Sequence, residues 1–257
     1  MKGDIPERIL MSNELYDIIV RRKSVRSFLD QPVEPEKRQK IFDAILAAPT
    51  TENMLMYSVI SVDDMETRLK LSRQPAIKKA AMVLVFCADY RRWAKLFAGL
   101  TESNRGPGVG EYQLAIVDAV VAAENAVLAA EALGLSSVYL GDIMEHYEER
   151  AQALKLPAGV APIVTLCIGY PTSEQLERAP VRRFPQEVLI HEEQYHDFSR
   201  EELVKQVNQR TGQASLEVTE EWLQKYARRC MEGKSANERT KSIQEVLNTW
   251  ETIHFDA

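Results

Sequence analysis

Apolar positions along the chain follow two periods, one helical and one of strand type, and their alternation predicts an α+β architecture. Asn13 is placed to cap a helix whose apolar residues Leu15, Ile18 and Ile19 recur at helical spacing, and which runs into Arg21, Arg22 and Lys23. Pro35 opens a second helix with Ile41, Ile45 and Ala48 on one face, closed before Pro49. Aromatic and β-branched residues over 57–62 predict a strand, 63–72 a short helix, and 82–88 a strand apolar on both faces. No clean period runs through 91–110, which ends in Asn104-Arg105-Gly106-Pro107-Gly108 and reads as an exposed excursion. Residues 112–133 are apolar nearly all round, interrupted by Asp118, Glu124, Asn125 and Glu131 and stopped by Gly134. They predict a central helix covered on several sides. A strand over 137–141, a helix over 144–156 and a strand over 162–169 follow. Ser199 and Glu202 then form a capping box that opens a tail of nearly balanced charge. The expected organisation is one α+β domain over 1–198 and a helical extension over 199–257, packed on that domain or on a partner.

Composition narrows the function. With 45% hydrophobic and 27% charged residues, the 257-residue chain is globular rather than disordered. A net charge of -6 argues against nucleic acid as a partner, because duplex binding needs a basic footprint. No apolar run is read as approaching the ~18 residues of a membrane span, and acidic residues interrupt the first thirty positions. A cytoplasmic protein with no membrane attachment is therefore expected. Two of the three cysteines, Cys87 and Cys167, lie inside apolar strands and read as reduced structural thiols.

Motifs for several chemistries fail on spacing. His191 and His196 are five apart, whereas metal ligation from one helical face needs four, so no metal is expected. Gly106, Gly108 and Gly110 lack the context of a dinucleotide fingerprint, and neither a phosphate-binding P-loop nor a nucleophile elbow occurs. Covalent catalysis by a side chain is not expected. The most anion-friendly stretch is Arg21-Arg22-Lys23-Ser24-Val25-Arg26, followed far along the chain by Val181-Arg182-Arg183-Phe184-Pro185. Two readings stand: solvated cations that complement a helix C-terminus, or guanidinium forks and a Ser24 hydroxyl that bind phosphate.

Six blocks in order, RRKSVRSF, PVEPEKRQKIFDAILAAPTTEN, DAVVAAENAVLAAEALGLSSVYLGD, LKLPAGVAPIVTLCIGYP, RRFP and LIHEEQY, resemble the FMN-dependent nitroreductase family over residues 13–198. The likeness is greatest to its type A branch of oxygen-insensitive NADPH nitroreductases and flavin reductases. It implies the nitroreductase fold: a mixed central sheet flanked by helices around a buried central helix, in an intertwined homodimer with FMN at the interface. By this resemblance Arg22, Lys23, Ser24 and Arg26 grip the phosphate and ribityl chain, joined by Arg183. Pro49, Thr50 and Thr51 reach the flavin from the partner subunit, and Gln74 bonds the pyrimidine edge. Tyr139, Leu140, Gly141 and Asp142 form the loop whose backbone faces the ring.

The chain departs from the family pattern at several places. Arg22 stands where the type A branch usually has histidine, Ser136, Ser137 and Asp142 where glycine is usual, and Leu55 where many relatives have glutamine. Val181 replaces a usual lysine, with Arg182 as its stand-in. The Asp142 carboxylate either lies beside the ring, where it would disfavour the reduced flavin, or faces solvent. The implied activity is ping-pong hydride transfer from NADPH or NADH through flavin N5 to nitroaromatic, quinone or flavin acceptors, with no side chain as acid or base. Alternatives are a dehalogenase or ene reductase of the same family, or a non-enzymatic flavin store or sensor.

Overall fold

A computed structural model describes residues 12–100, 106–251 and 253. In chain order it contains α1 (Ser12–Arg21), α2 (Pro35–Leu46), β1 (Tyr57–Ser61), α3 (Met65–Leu71), α4 (Ala76–Lys79), β2 (Met82–Asp89), α5 (Arg91–Phe97) and α6 (Val109–Ala132). There follow β3 (Ser136–Leu140), a 3-10 turn (Gly141–Met144), α7 (Tyr147–Leu154), β4 (Val160–Gly169), α8 (Ser173–Glu177), α9 (Gln186–Leu189), α10 (Arg200–Thr211), α11 (Leu216–Ala227) and α12 (Lys234–Glu251). Asn13 lies within α1, and its side chain is outside what is described.

The strands form one sheet in the order β1-β2-β4-β3, each neighbouring pair antiparallel. Beside this antiparallel sheet, an isolated parallel bridge between Ser24 and Ser137 lays the segment after α1 along the outer edge of β3. Every residue of β2 is buried, and its strand period divides them between two cores. Met82, Leu84, Phe86 and Ala88 pack on the side of α2 and α6, whereas Val83, Val85 and Cys87 join Leu71 and Ile77 of α3 and α4 on the other. Burial pushes the Cys87 and Cys167 thiols up to about 12, so both stay protonated and inert at neutral pH.

By length and composition α6 could cross a membrane, contrary to the expectation that no such run exists. The sheet is its actual environment: Ala115, Ala119, Ala122, Ala123, Ala126 and Ala130 are wholly buried, and these small residues let helix and strands approach closely. Gly108 donates its N–H to the Glu111 carboxylate at the start of α6, and Gly134 takes a left-handed φ of 76° to end it.

One charge interrupts the buried face. Asp118, 1% exposed, accepts the backbone N–H groups of Thr51 at 2.9 Å and Met56 at 3.0 Å, so the helix holds the loop that carries Thr50 and Thr51. That loop places Glu52, Asn53 and Leu55 at positive φ, a conformation that costs energy and persists only where surroundings impose it. Arg92 supplies further restraint, donating to the carbonyls of Leu55 and Tyr57, to Ser58 and to Asp89, while the Trp93 indole donates to Met54 O at 2.6 Å. Arg92 and Trp93 lie on α5, inside the expected excursion. Tertiary hydrogen bonds, not apolar periodicity, make this segment helical, and residues 101–105 lie outside the described residues. The helix expected over 144–156 likewise starts only at Tyr147, because residues 141–144 wind as a 3-10 turn and His146 adopts a φ of 55°.

The chain divides into two compact units: the described residues up to Arg178 with those from Glu238 onward, and Ala179–Asn237. The expected boundary at 198 falls inside the second unit, and α12 returns the chain to the first. There Ser242 accepts the Tyr147 N–H and Trp250 meets Tyr112 edge-on at 4.9 Å. Within the second unit the Ser199–Glu202 capping box forms, and Arg200 pairs with Glu220 from α10 to α11.

Replacing Asp118 by Ala strands two inward N–H groups and frees a strained loop. Stability to urea should fall by about 2 to 3 kcal/mol, with Asp118→Asn intermediate because its amide keeps one acceptor. A midpoint unchanged by Asp118→Ala would show that Arg92 and Trp93 suffice to hold the loop.

Candidate functional site

The parallel bridge at Ser24 sets the position of the cationic stretch. The Val25 N–H donates to Ser137 O at 2.9 Å, and β3 then runs from this junction toward the exposed Gly141. Lys23 does not extend freely: its Nζ donates to Leu176 O at 2.6 Å and Arg178 O at 2.5 Å, at the end of α8. In return the Arg178 guanidinium donates to Ser24 O, and its Nε is buried with no partner. Gln175 accepts the backbone N–H of Arg26. Arg178 escaped the sequence reading, its only signal being a basic residue shortly after the last strand.

No carboxylate lies within ion-pairing distance of Arg22, Lys23, Arg26 or Arg178 among the described residues. The Glu131 carboxyl feels some of them, and burial raises its pKa against the fields of Arg22, Arg21 and Lys23. Lys23 and Arg178 bond carbonyls, and a group of cations with no carboxylate at ion-pairing distance suits an anion with several oxygens, the chemistry of a phosphate.

Further along, side chains turn inward and main chain faces out. The Tyr139 ring lies on the α6 side of the sheet, its hydroxyl donating to Glu124 at 3.0 Å; burial and then Glu124 raise its pKa. Leu140 is buried in the opposite core. Gly141 is exposed, and a Cβ built there would meet only the end of Met144 at 3.9 Å, so open space lies before this backbone. The Asp142 carboxylate turns toward the turn that carries Ser72. Its Oδ2 accepts the Ser72 hydroxyl at 2.7 Å and its Oδ1 is buried without a partner.

The Ser72 oxygen also accepts the Gln74 N–H at 3.0 Å, which ties the turn bearing Gln74 to the turn bearing Asp142. Ser137 and Gly141 are four strand residues apart, about 13 Å. The structure thus strings out, along one edge of β3, a cation cluster, an open stretch of backbone and an exposed amide side chain. This order fits an elongated ligand with a phosphate at one end and a flat polar ring at the other, as FMN has.

Other predicted residues stand apart. Asp118, which fixes Thr51, and Glu131, beside Arg22, are thirteen residues apart on α6, about 20 Å along its axis. Arg182 and Arg183 belong to the second unit, and their expected role rests on the resemblance alone. A separate apolar cavity of about 650 Å³ lies among Phe42, Leu46, Leu55, Val59, Trp93 and Leu96. Among the described residues that line it, the one cation, Arg92, is already engaged with four acceptors. Among the described residues no group of three His, Cys, Asp or Glu is arranged to hold a metal.

Comparison with known proteins agrees with this geometry. Residues 56–170 match the model of the Nitroreductase family. The chain is 30% identical to the NAD(P)H FMN reductase of Bacillus subtilis (strain 168), over 90% of each chain. It is 32% identical to the NADPH-flavin oxidoreductase of Vibrio harveyi, over 74% of this chain and 78% of that one. Its fold superposes on the NADPH:FMN oxidoreductase from Vibrio harveyi complexed with NAD+, with a TM-score of 0.73 at 27% identity, covering 91% of this chain and 98% of the other. A shared fold and 30% identity sustained over nine-tenths of a relative's length have one common explanation: this chain belongs to the nitroreductase family.

Proposed function

We propose that the chain is an FMN-dependent NAD(P)H oxidoreductase that works in the cytoplasm, where its reductant is supplied, as a homodimer. One observation carries this reading: exposed backbone at Gly141 lies between the cations of the 22–26 segment and the Gln74 turn. Bound FMN would supply the redox chemistry, hydride transfer from NADPH or NADH to the flavin and then to a nitroaromatic, quinone or flavin acceptor in ping-pong.

The chain's own part is placement. Arg22, Ser24 and Arg26 would hold the phosphate end, and Lys23 keeps their segment fixed against α8. Tyr139 and Leu140 anchor β3 on its two faces, so the main chain of Gly141 and Asp142 would face the ring. Ser72 keeps Gln74 in register with that main chain. No side chain in this set is arranged to transfer a proton.

Two observations favour a dimer. Leu114, Val117 and Val120 form a stripe on α6 that stays 42, 50 and 45% exposed, with Leu15 and Ile19 of α1 also exposed. The Thr50–Thr51 loop also stands far along α6 from Arg22 within one chain, so a second copy would bring it to the flavin.

The purified protein should be yellow, carry about one FMN per chain and oxidise NADPH or NADH, with parallel double-reciprocal plots against a quinone. Colourless protein that neither takes up FMN nor oxidises nicotinamide contradicts the assignment. Val117→Glu should sediment as a monomer and lose FMN while its far-ultraviolet circular dichroism is unchanged, since the side chain is half exposed and an interface of roughly 2,000 Å² tolerates no unpaired charge. A Val117→Glu dimer with full flavin content would move the interface elsewhere.

A further inference from the structure

Resting on the FMN reading above, we propose that Arg178 is a phosphate-binding residue of the flavin site, not merely a clamp on the neighbouring chain. The tie between the 22–26 segment and the end of α8 is reciprocal: the side chain of residue 23 reaches the carbonyl of 178, and the side chain of 178 reaches the carbonyl of 24. Holding two chain segments together needs hydrogen-bond donors but not charge. Here both donors are basic side chains, and they sit near Arg22 and Arg26 in a protein of net charge -6.

Like charges gathered without carboxylate partners repel one another, and an anion between them removes that cost. Arg178 also has donors to spare. Its guanidinium carries five N–H groups, of which the structure uses one toward Ser24 O, while Nε is buried without an acceptor. A dianionic phosphate, with several oxygens for a planar fork, is the ligand chemistry that satisfies both the charge and the open donors. The Ser24 carbonyl orients the guanidinium beforehand, so little side-chain freedom is lost on binding. Arg178 therefore favours FMN over a flavin that lacks the phosphate.

The test compares FMN with riboflavin, which has the same ring and ribityl chain but no phosphate. Flavin-free protein is titrated with each while flavin fluorescence is followed, for wild type, Arg178→Ala and Arg178→Gln. The Gln variant keeps an N–H for the Ser24 carbonyl and removes only the charge, so it guards against a failure of Arg178→Ala to fold. Both variants should weaken FMN by tenfold or more and riboflavin by less than twofold, and the salt dependence of FMN binding should become shallower. Equal weakening of the two flavins would reduce Arg178 to a clamp, and unchanged FMN affinity would remove it from the site; either overturns the proposal. Wild-type protein that binds neither flavin would overturn the FMN reading itself.

Discussion

Close approach between α6 and the sheet is the constraint on which the rest of this molecule depends. Six alanines on the buried face set that distance, and large side chains from β2 and β4 fill the space beside them. A larger residue at any of these positions would push the helix off the strands and take the attached loops with it. Asp118 makes the dependence plain. It is the charge set into this face, and it spends both oxygens on the main chain of the loop after α2.

The same economy recurs in and around the candidate site, where many side chains hold main chain. Lys23 and Arg178 exchange bonds with each other's neighbourhoods, Ser72 receives a backbone N–H while donating to Asp142, and Arg92 and Trp93 seize carbonyls of the 54–57 segment. Such bonds fix the path of the backbone and leave its outer face free. An enzyme whose cofactor carries the electrons needs this arrangement more than it needs reactive side chains. The two inert thiols and the Tyr139 hydroxyl bonded to Glu124 agree with that division of labour.

Much of this was legible in the sequence. Strand period located β1, β2, β3 and β4 to within a few residues, and the run of small apolar residues marked α6 as central. What escaped has a common physical origin. α5 is helical because Arg92 and Trp93 find acceptors far along the chain, and no local period records that. The 3-10 turn after β3 and the left-handed His146 replace a helical turn that apolar spacing alone suggested. Among site residues, the cations at 22–26 announce themselves by charge, but Lys23's engagement with α8 and the Ser72 link require the folded chain to bring residues 70 and 155 positions apart together. Asp142 shows the limit most clearly: position in a motif left ring and solvent as the choices, and its actual partner is a serine from another turn.

Amide hydrogen exchange of the flavin-free protein, with and without saturating FMN, tests the central claim most directly. The account predicts added protection over 22–27, 50–53, 72–75, 139–145 and 176–178, and little change in β2, whose amides are already paired in the sheet centre. Protection concentrated instead on the apolar cavity between α2, β1 and α5 would contradict it.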